Sequence, residues 1–92
     1  MIQKTYIMQW ELGLHARPSG KIMEKITALN LDIAKLIYDG LEFRLKSIME
    51  LLTSSISPGD QFNLLLDGPD EQEAFDFLNK AFSSETEEAL YD

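Results

Sequence analysis

One histidine occurs in the 92 residues, His15, within the run Gly13-Leu14-His15-Ala16-Arg17-Pro18-Ser19-Gly20. Imidazole is the one side chain whose ordinary pKa, about 6.5, lets it serve near neutrality as acid, base, nucleophile or metal ligand. A single histidine and no cysteine argue against a dedicated metal site, which leaves proton transfer and nucleophilic attack. If Ala16 opens a helix, His15 stands over the unpaired N–H groups of the first turn and the positive end of the helix dipole, a place that attracts anions. A phosphate carried on the ring would accept hydrogen bonds from those amides, and the Arg17 guanidinium would meet its oxygens in charge-assisted bonds. Gly13 frees the entering loop, and Pro18 fits only the first turn, where its missing N–H does no harm. The chemistry implied is nucleophilic: neutral imidazole attacks a phosphoryl group, holds it through a labile N–P bond and releases it to another nucleophile. A lone histidine is nevertheless more often an incidental surface or capping residue, so the elements that position it matter.

Those elements follow from the spacing of apolar residues. From Gln3 to Trp10 the chain alternates, Tyr6, Met8 and Trp10 on one face and Thr5, Ile7 and Gln9 on the other, which predicts a half-buried strand. From Ala16 to Ala28, Ile22, Met23, Ile26 and Leu29 recur at helical spacing. Leu31 to Ile37 and Leu41 to Leu45 predict two antiparallel strands joined by a hairpin at Asp39-Gly40. Ser47 to Thr53 predicts a short helix, with Ser47 as N-cap and Glu50 at the capping-box position. Gln61 to Leu66 alternates as a fourth strand, and Asp67-Gly68-Pro69-Asp70 opens a helix with Ala74, Leu78, Ala81 and Phe82 on one face, ending near Ser84. Phe77 lies off that face and is expected to be exposed. The acidic tail, residues 84–92, is expected to fray. The order βαββαβα, with four mixed strands and three helices, predicts an α+β two-layer open-faced sandwich in a single domain over residues 1–92. Its four-stranded sheet would be covered on one face by three helices, the other facing water.

Composition narrows the partners. Sixteen acidic against eight basic residues give a net charge of −8, which disfavours nucleic acid and anionic lipid surfaces. No run approaches the roughly 18 apolar residues of a membrane span, so direct membrane insertion is not expected. Absence of cysteine suits a reducing compartment, and a cytoplasmic location is the default. The basic residues cluster, Arg17, Lys21 and Lys25 four apart and Arg44 and Lys46 before the next apolar run, while acid dominates from Asp67 to Asp92. That asymmetry predicts one positive patch on a negative molecule, suited to an acidic protein or an anionic group.

The segment Gly13-Leu14-His15-Ala16-Arg17-Pro18-Ser19 resembles the active-site signature of the HPr phosphocarrier family of the bacterial phosphotransferase system, Gly-(Leu or Ile)-His-(Ala or Thr)-Arg-Pro-(Ala or Ser). The resemblance extends over nearly the whole chain, since βαββαβα is the fold of HPr-like proteins and Leu45-Lys46-Ser47-Ile48-Met49 resembles the segment carrying their regulatory serine. It implies that His15 accepts phosphate on Nδ1 from phosphorylated enzyme I and delivers it to a histidine of an enzyme II A component for sugar uptake, with Arg17 stabilising the phosphate. It further implies Ser47 as a regulatory site for an HPr kinase/phosphorylase, and a partner-docking face from Ala16, Gly20, Lys21, Ile48, Met49 and Leu52, with Lys25 adding charge. A monomer without cofactors, a relay and not a self-contained enzyme, completes the implied picture.

Departures from the family pattern lie away from the histidine. Glu50 stands where many relatives have glycine and would repel both a kinase's phosphate donor and a product phosphoserine at Ser47. Gly20 replaces a small alanine or threonine within a helix, and the hairpin is one residue longer before Asp39, which suggests a bulge. Two alternatives remain at this level: an HPr-like regulatory docking module, and a carrier in a regulatory phosphorelay without sugar transport. An imidazole over helix-terminal amides has no use in a purely passive module.

Overall fold

The computed structural model describes the whole chain, Met1–Asp92. Its elements are β1 (Ile2–Ile7), α1 (Ala16–Thr27), β2 (Ile33–Tyr38), β3 (Leu41–Arg44), α2 (Ile48–Ser54), β4 (Gln61–Asp67) and α3 (Glu71–Phe82), followed by a 3-10 turn, Glu87–Tyr91. The strands form one sheet in the order β1-β4-β2-β3. Every neighbouring pair is antiparallel, so the expected mixed sheet is corrected: β1 and β2 do run the same way, but β4 lies between them.

Alternation along each strand sends one row of side chains to the helices. Tyr6, Leu36, Phe62, Leu64 and Leu66 are buried on that row in one core with Ile22 and Ile26 of α1, Leu51 of α2, and Ala74, Leu78, Ala81 and Phe82 of α3, and Phe43 of β3 is buried outside that core. On the other face Gln3, Thr5 and Gln61 remain exposed, and Thr5 hydrogen-bonds Asn63 across the β1–β4 pair. The architecture is therefore the expected open-faced sandwich.

Local chemistry explains several boundaries. Asp39 and Gly40 both have positive φ, 53° and 77°, the two-residue turn that matches strand twist, with Tyr38 opposite Leu41. The register from there to Lys35 opposite Arg44 is continuous, so no bulge forms. β1 ends at Ile7, earlier than the alternation suggests, because Met8 leaves the ladder to bond the 59–60 loop, donating to Asp60 O at 2.8 Å and accepting from Gly59 N at 2.9 Å. Trp10 nevertheless stays buried and donates from Nε1 to Ala81 O at 3.2 Å. Phe77, expected to be exposed, is half-buried against the core, with the Lys25 ammonium 5.9 Å from its ring centroid.

The acidic tail is ordered. Thr86 caps the terminal turn by accepting from Glu88 N, and Leu90, only 1% exposed, enters the main core. A polar stretch of sequence hides one apolar anchor, and burying that leucine is what holds the turn down.

Gly20 sits in the interior of α1, where a Cβ would lie 3.7 Å from the Ile48 terminal methyl, an ordinary contact. Glycine there costs backbone entropy without relieving a clash. Gly20→Ala is expected to raise stability by up to about 1 kcal/mol in urea unfolding; a loss of stability would show that α1 and α2 need the closer approach.

Candidate functional site

The loop into α1 is built around Gly13. Its φ is +62°, and a Cβ at this position would lie 2.3 Å from Ile56 O. The close approach lets Leu14 N donate to Ile56 O at 3.0 Å, and Gly13 N donates to Trp10 O at 2.9 Å. Leu14, 4% exposed, plugs into the core, which leaves His15 as the N-cap residue of α1 in extended conformation. Its carbonyl accepts from Ser19 N, while the amides of Ala16 and Arg17 find no acceptor in the protein and Pro18 has none to offer. The helix-terminal position inferred from the sequence is thus the observed one.

The imidazole is 31% exposed, and Nε2 lies 2.6 Å from Glu87 Oε1 of the terminal turn. Tyr91 donates from its hydroxyl to Glu87 Oε2 at 2.7 Å. Arg17 reaches toward the same group, its guanidinium 3.8 Å from Glu87 Oε2 and 3.5 Å from Glu88 Oε1, and its Cζ lies 4.1 Å from the centroid of the Tyr91 ring. His15 and Arg17 therefore converge on one carboxylate supplied from the other end of the chain. Glu87 is a site residue that the sequence reading missed; the only available signal was Leu90, the apolar residue in the acidic tail three positions on.

Burial works against ionisation of Glu87, but hydrogen bonds from Tyr91 and His15, together with the charge of Arg17, outweigh it and hold the carboxyl below its ordinary value. Burial and the same carboxylate push the Tyr91 hydroxyl up to about 12.

Ser47 is the N-cap of α2, its Oγ accepting from Glu50 N at 3.2 Å. The capping box does not close, because the Glu50 carboxylate turns to Arg44, accepting from its backbone N at 3.1 Å and from Nε at 2.5 Å. That hydrogen bond from the Arg44 side chain, with its charge, depresses the Glu50 carboxyl.

On α2, Leu51 is buried while Met49 is 72% and Leu52 39% exposed, and Ile48 packs beside Gly20. Ala16 is exposed at the histidine, and Lys21 pairs with Glu24 at 3.5 Å. Lys25 instead turns to α3 and bonds Glu73 at 3.2 Å, so it does not ring the α2 face. The expected positive patch is largely compensated: of its five members, Arg17, Lys21, Lys25 and Arg44 each meet a carboxylate, and Lys46 donates to Leu29 O at the end of α1.

An open-faced βαββαβα sandwich with its one histidine at the N-terminus of the first helix defines the class of protein. A family profile described as "PTS HPr component phosphorylation site" matches residues 2–84, and the chain belongs to that HPr family. Solved structures agree. HPr from Thermoanaerobacter tengcongensis superposes with a TM-score of 0.84 at 24% identity, covering 100% of this chain and 98% of that one. HPr from Bacillus anthracis gives 0.74 at 27% identity over 82% and 88% of the two chains. Crh of Bacillus subtilis, a catabolite repression protein that forms a swapped dimer, gives 0.69 at 31% identity over 94% and 98%. No helix is long and apolar enough to cross a membrane.

Two outcomes are expected. Gly13→Ala places a methyl group against the Ile56 carbonyl in a backbone conformation unfavourable to alanine, and should cost about 2 kcal/mol or more; urea unfolding measures it, and a near-wild-type midpoint would show that the loop can yield. The carboxyls of Glu50, Asp60, Glu71 and Glu87 all ionise more readily in the folded protein than in the free chain. Their contribution to stability is complete above the unfolded values of about 4 and is lost as pH falls through the lower folded values. Thermal midpoints compared at neutral pH and about pH 3 should therefore drop on acidification.

Proposed function

We propose that the protein is a histidine phosphocarrier of the phosphotransferase system, with His15 accepting a phosphoryl group from phosphorylated enzyme I and passing it to an enzyme II A component for sugar uptake. The observation that carries this reading is the placement of a part-exposed imidazole at the start of α1, beside two amides without acceptors and with the Arg17 guanidinium close by. A phosphate on the ring would be met by N–H groups and a planar cation, both suited to its oxygens. Arg17 would exchange its contacts with Glu87 and Glu88 for the phosphate; at 60% exposure the side chain is free to do so.

Docking would use the surface around the histidine: Ala16, Gly20 and Lys21 of α1 with Ile48, Met49 and Leu52 of α2. Met49 and Leu52 supply the exposed apolar area, which partners bury more profitably than charge. A cytoplasmic, monomeric relay follows from the same reading.

Ser47 already serves as a helix cap, and the neighbouring cation, Arg44, is held by Glu50. A phosphate on Ser47 by an HPr kinase/phosphorylase would have to displace that carboxylate from Arg44 or face its charge, so regulation there is the weaker part of the family pattern to carry over. A second reading, a regulatory docking module or a regulatory phosphorelay, draws support from the 31% identity to Crh.

Incubation with phosphoenolpyruvate and enzyme I, followed by intact mass and acid lability, should give one acid-labile phosphate on the wild type and none on His15→Ala. Transfer onward to an enzyme II A component completes the relay. A folded wild type that takes no label from active enzyme I would instead favour the docking module.

A further inference from the structure

The family match ends at residue 84, and the contact that most directly engages the imidazole comes from beyond it. Glu87 is 14% exposed, and both of its carboxylate oxygens have partners: Oε1 faces His15 Nε2, while Oε2 takes the Tyr91 hydroxyl and faces Arg17. Leu90 anchors the turn in the core and Thr86 caps its start, so the carboxylate is held in place by packing as well as charge. Glu88, by contrast, is 67% exposed and touches only the arginine of this group.

We infer that Glu87 is a positioning residue for phosphoryl transfer at His15. An ionised carboxylate has no proton to give, so a hydrogen bond of 2.6 Å to Nε2 requires that the ring nitrogen carry the hydrogen. In a neutral imidazole the proton on Nε2 leaves Nδ1 with its lone pair free, and Nδ1 makes no hydrogen bond in the protein. Glu87 thereby selects which nitrogen is the nucleophile and fixes the ring plane, as a buried carboxylate does behind a catalytic imidazole. When the Nδ1 lone pair forms a bond to phosphorus, the bond from phosphorus to the donor atom breaks and its electron pair stays with the donor. The proton remains on Nε2, so the ring becomes cationic while it bears the phosphate, and Glu87 faces that new charge. On transfer to the acceptor histidine the N–P electron pair returns to Nδ1 and the ring is neutral again, its proton never having left Nε2. The carboxylate thus favours the charge that makes the phosphorylated ring a good leaving group.

The transfer role rests on the carrier reading; the state of the ring does not, and the test separates them. Imidazole-¹⁵N NMR of wild type, Glu87→Ala and Glu88→Ala is paired with rapid-quench measurement of transfer from phosphorylated enzyme I. Wild type and Glu88→Ala should show nitrogen shifts of a single Nε2–H tautomer and a downfield Nε2 proton protected from solvent exchange. Glu87→Ala should lose that proton signal, show a tautomer mixture, and transfer roughly tenfold to a hundredfold more slowly. Should the alanine variant loosen the terminal turn, Glu87→Gln, which keeps an oxygen for the Nε2 proton but no charge, should retain the signal and transfer at an intermediate rate. An Nδ1–H tautomer in the wild type, or a wild-type transfer rate in Glu87→Ala, overturns the inference. A wild type with the protected Nε2 proton that accepts no phosphate would defeat the carrier reading, and with it the transfer role, while leaving the tautomer assignment in place.

Discussion

Four aromatic rings at one end of the sheet hold the site's two halves together. Phe82, the last residue of α3, packs against Tyr6, Trp10 and Phe62 at centroid distances of 5.4, 5.3 and 5.0 Å, and Tyr6 stacks with Phe62 at 5.7 Å. Trp10 adds a hydrogen bond to the Ala81 carbonyl. The cluster fixes the departure of the N-terminal loop toward His15 and the departure of the tail toward Glu87 from a common base. Rings of this size dominate the energetics of a small core. Without that base, the helix-terminal histidine and the terminal carboxylate would hang on separate flexible segments, and a hydrogen bond between them would be entropically expensive.

The same geometry accounts for the charge distribution. An excess of eight negative charges is concentrated late in the chain, and the fold lays part of it against the cations that precede it. Most of these pairs are on the surface and contribute little to stability in salt. Glu87 differs because its surroundings are dry enough for its partners to be fixed: its hydrogen bonds to Tyr91 and His15 prevail over the cost of burial. A negative molecule thus carries a locally organised site in which one carboxylate orients the imidazole and one arginine, resting on Tyr91, lies within reach of an anion.

Much of this was legible in the residues. Periodicity located α1 and α3 within two residues, Asp39-Gly40 gave the hairpin, and Ser47 gave the α2 cap, because each depends on neighbours in sequence. His15 and Arg17 were legible as a pair because Pro18 fixes where the helix must begin. Interactions between distant residues were not. The direction of the strand beside β1 depends on β4 entering between β1 and β2. Glu50 preferred Arg44 to the amide of its own cap, a choice set by the end of β3. Lys25 and Phe77 found each other only once α1 lay against α3. The terminal turn was hardest to anticipate, since its acidic residues resemble those of a disordered tail and its single leucine acquires meaning only from the cavity it fills.

His15 and Glu87 are 72 positions apart, and this separation gives the site a place in time as well as in space. Helix α1, the hairpin and β4 are all synthesised before the last turn exists, and their core can gather while the position opposite Nε2 is still empty. The histidine loop is therefore present early, but the ring acquires its carboxylate only when Leu90 has emerged and docked. Long-range closures of this kind are slow steps relative to helix and hairpin formation. A partly refolded chain would thus display its helices and the β2–β3 hairpin with an imidazole still free to turn, so recovery of local secondary structure should precede completion of the site.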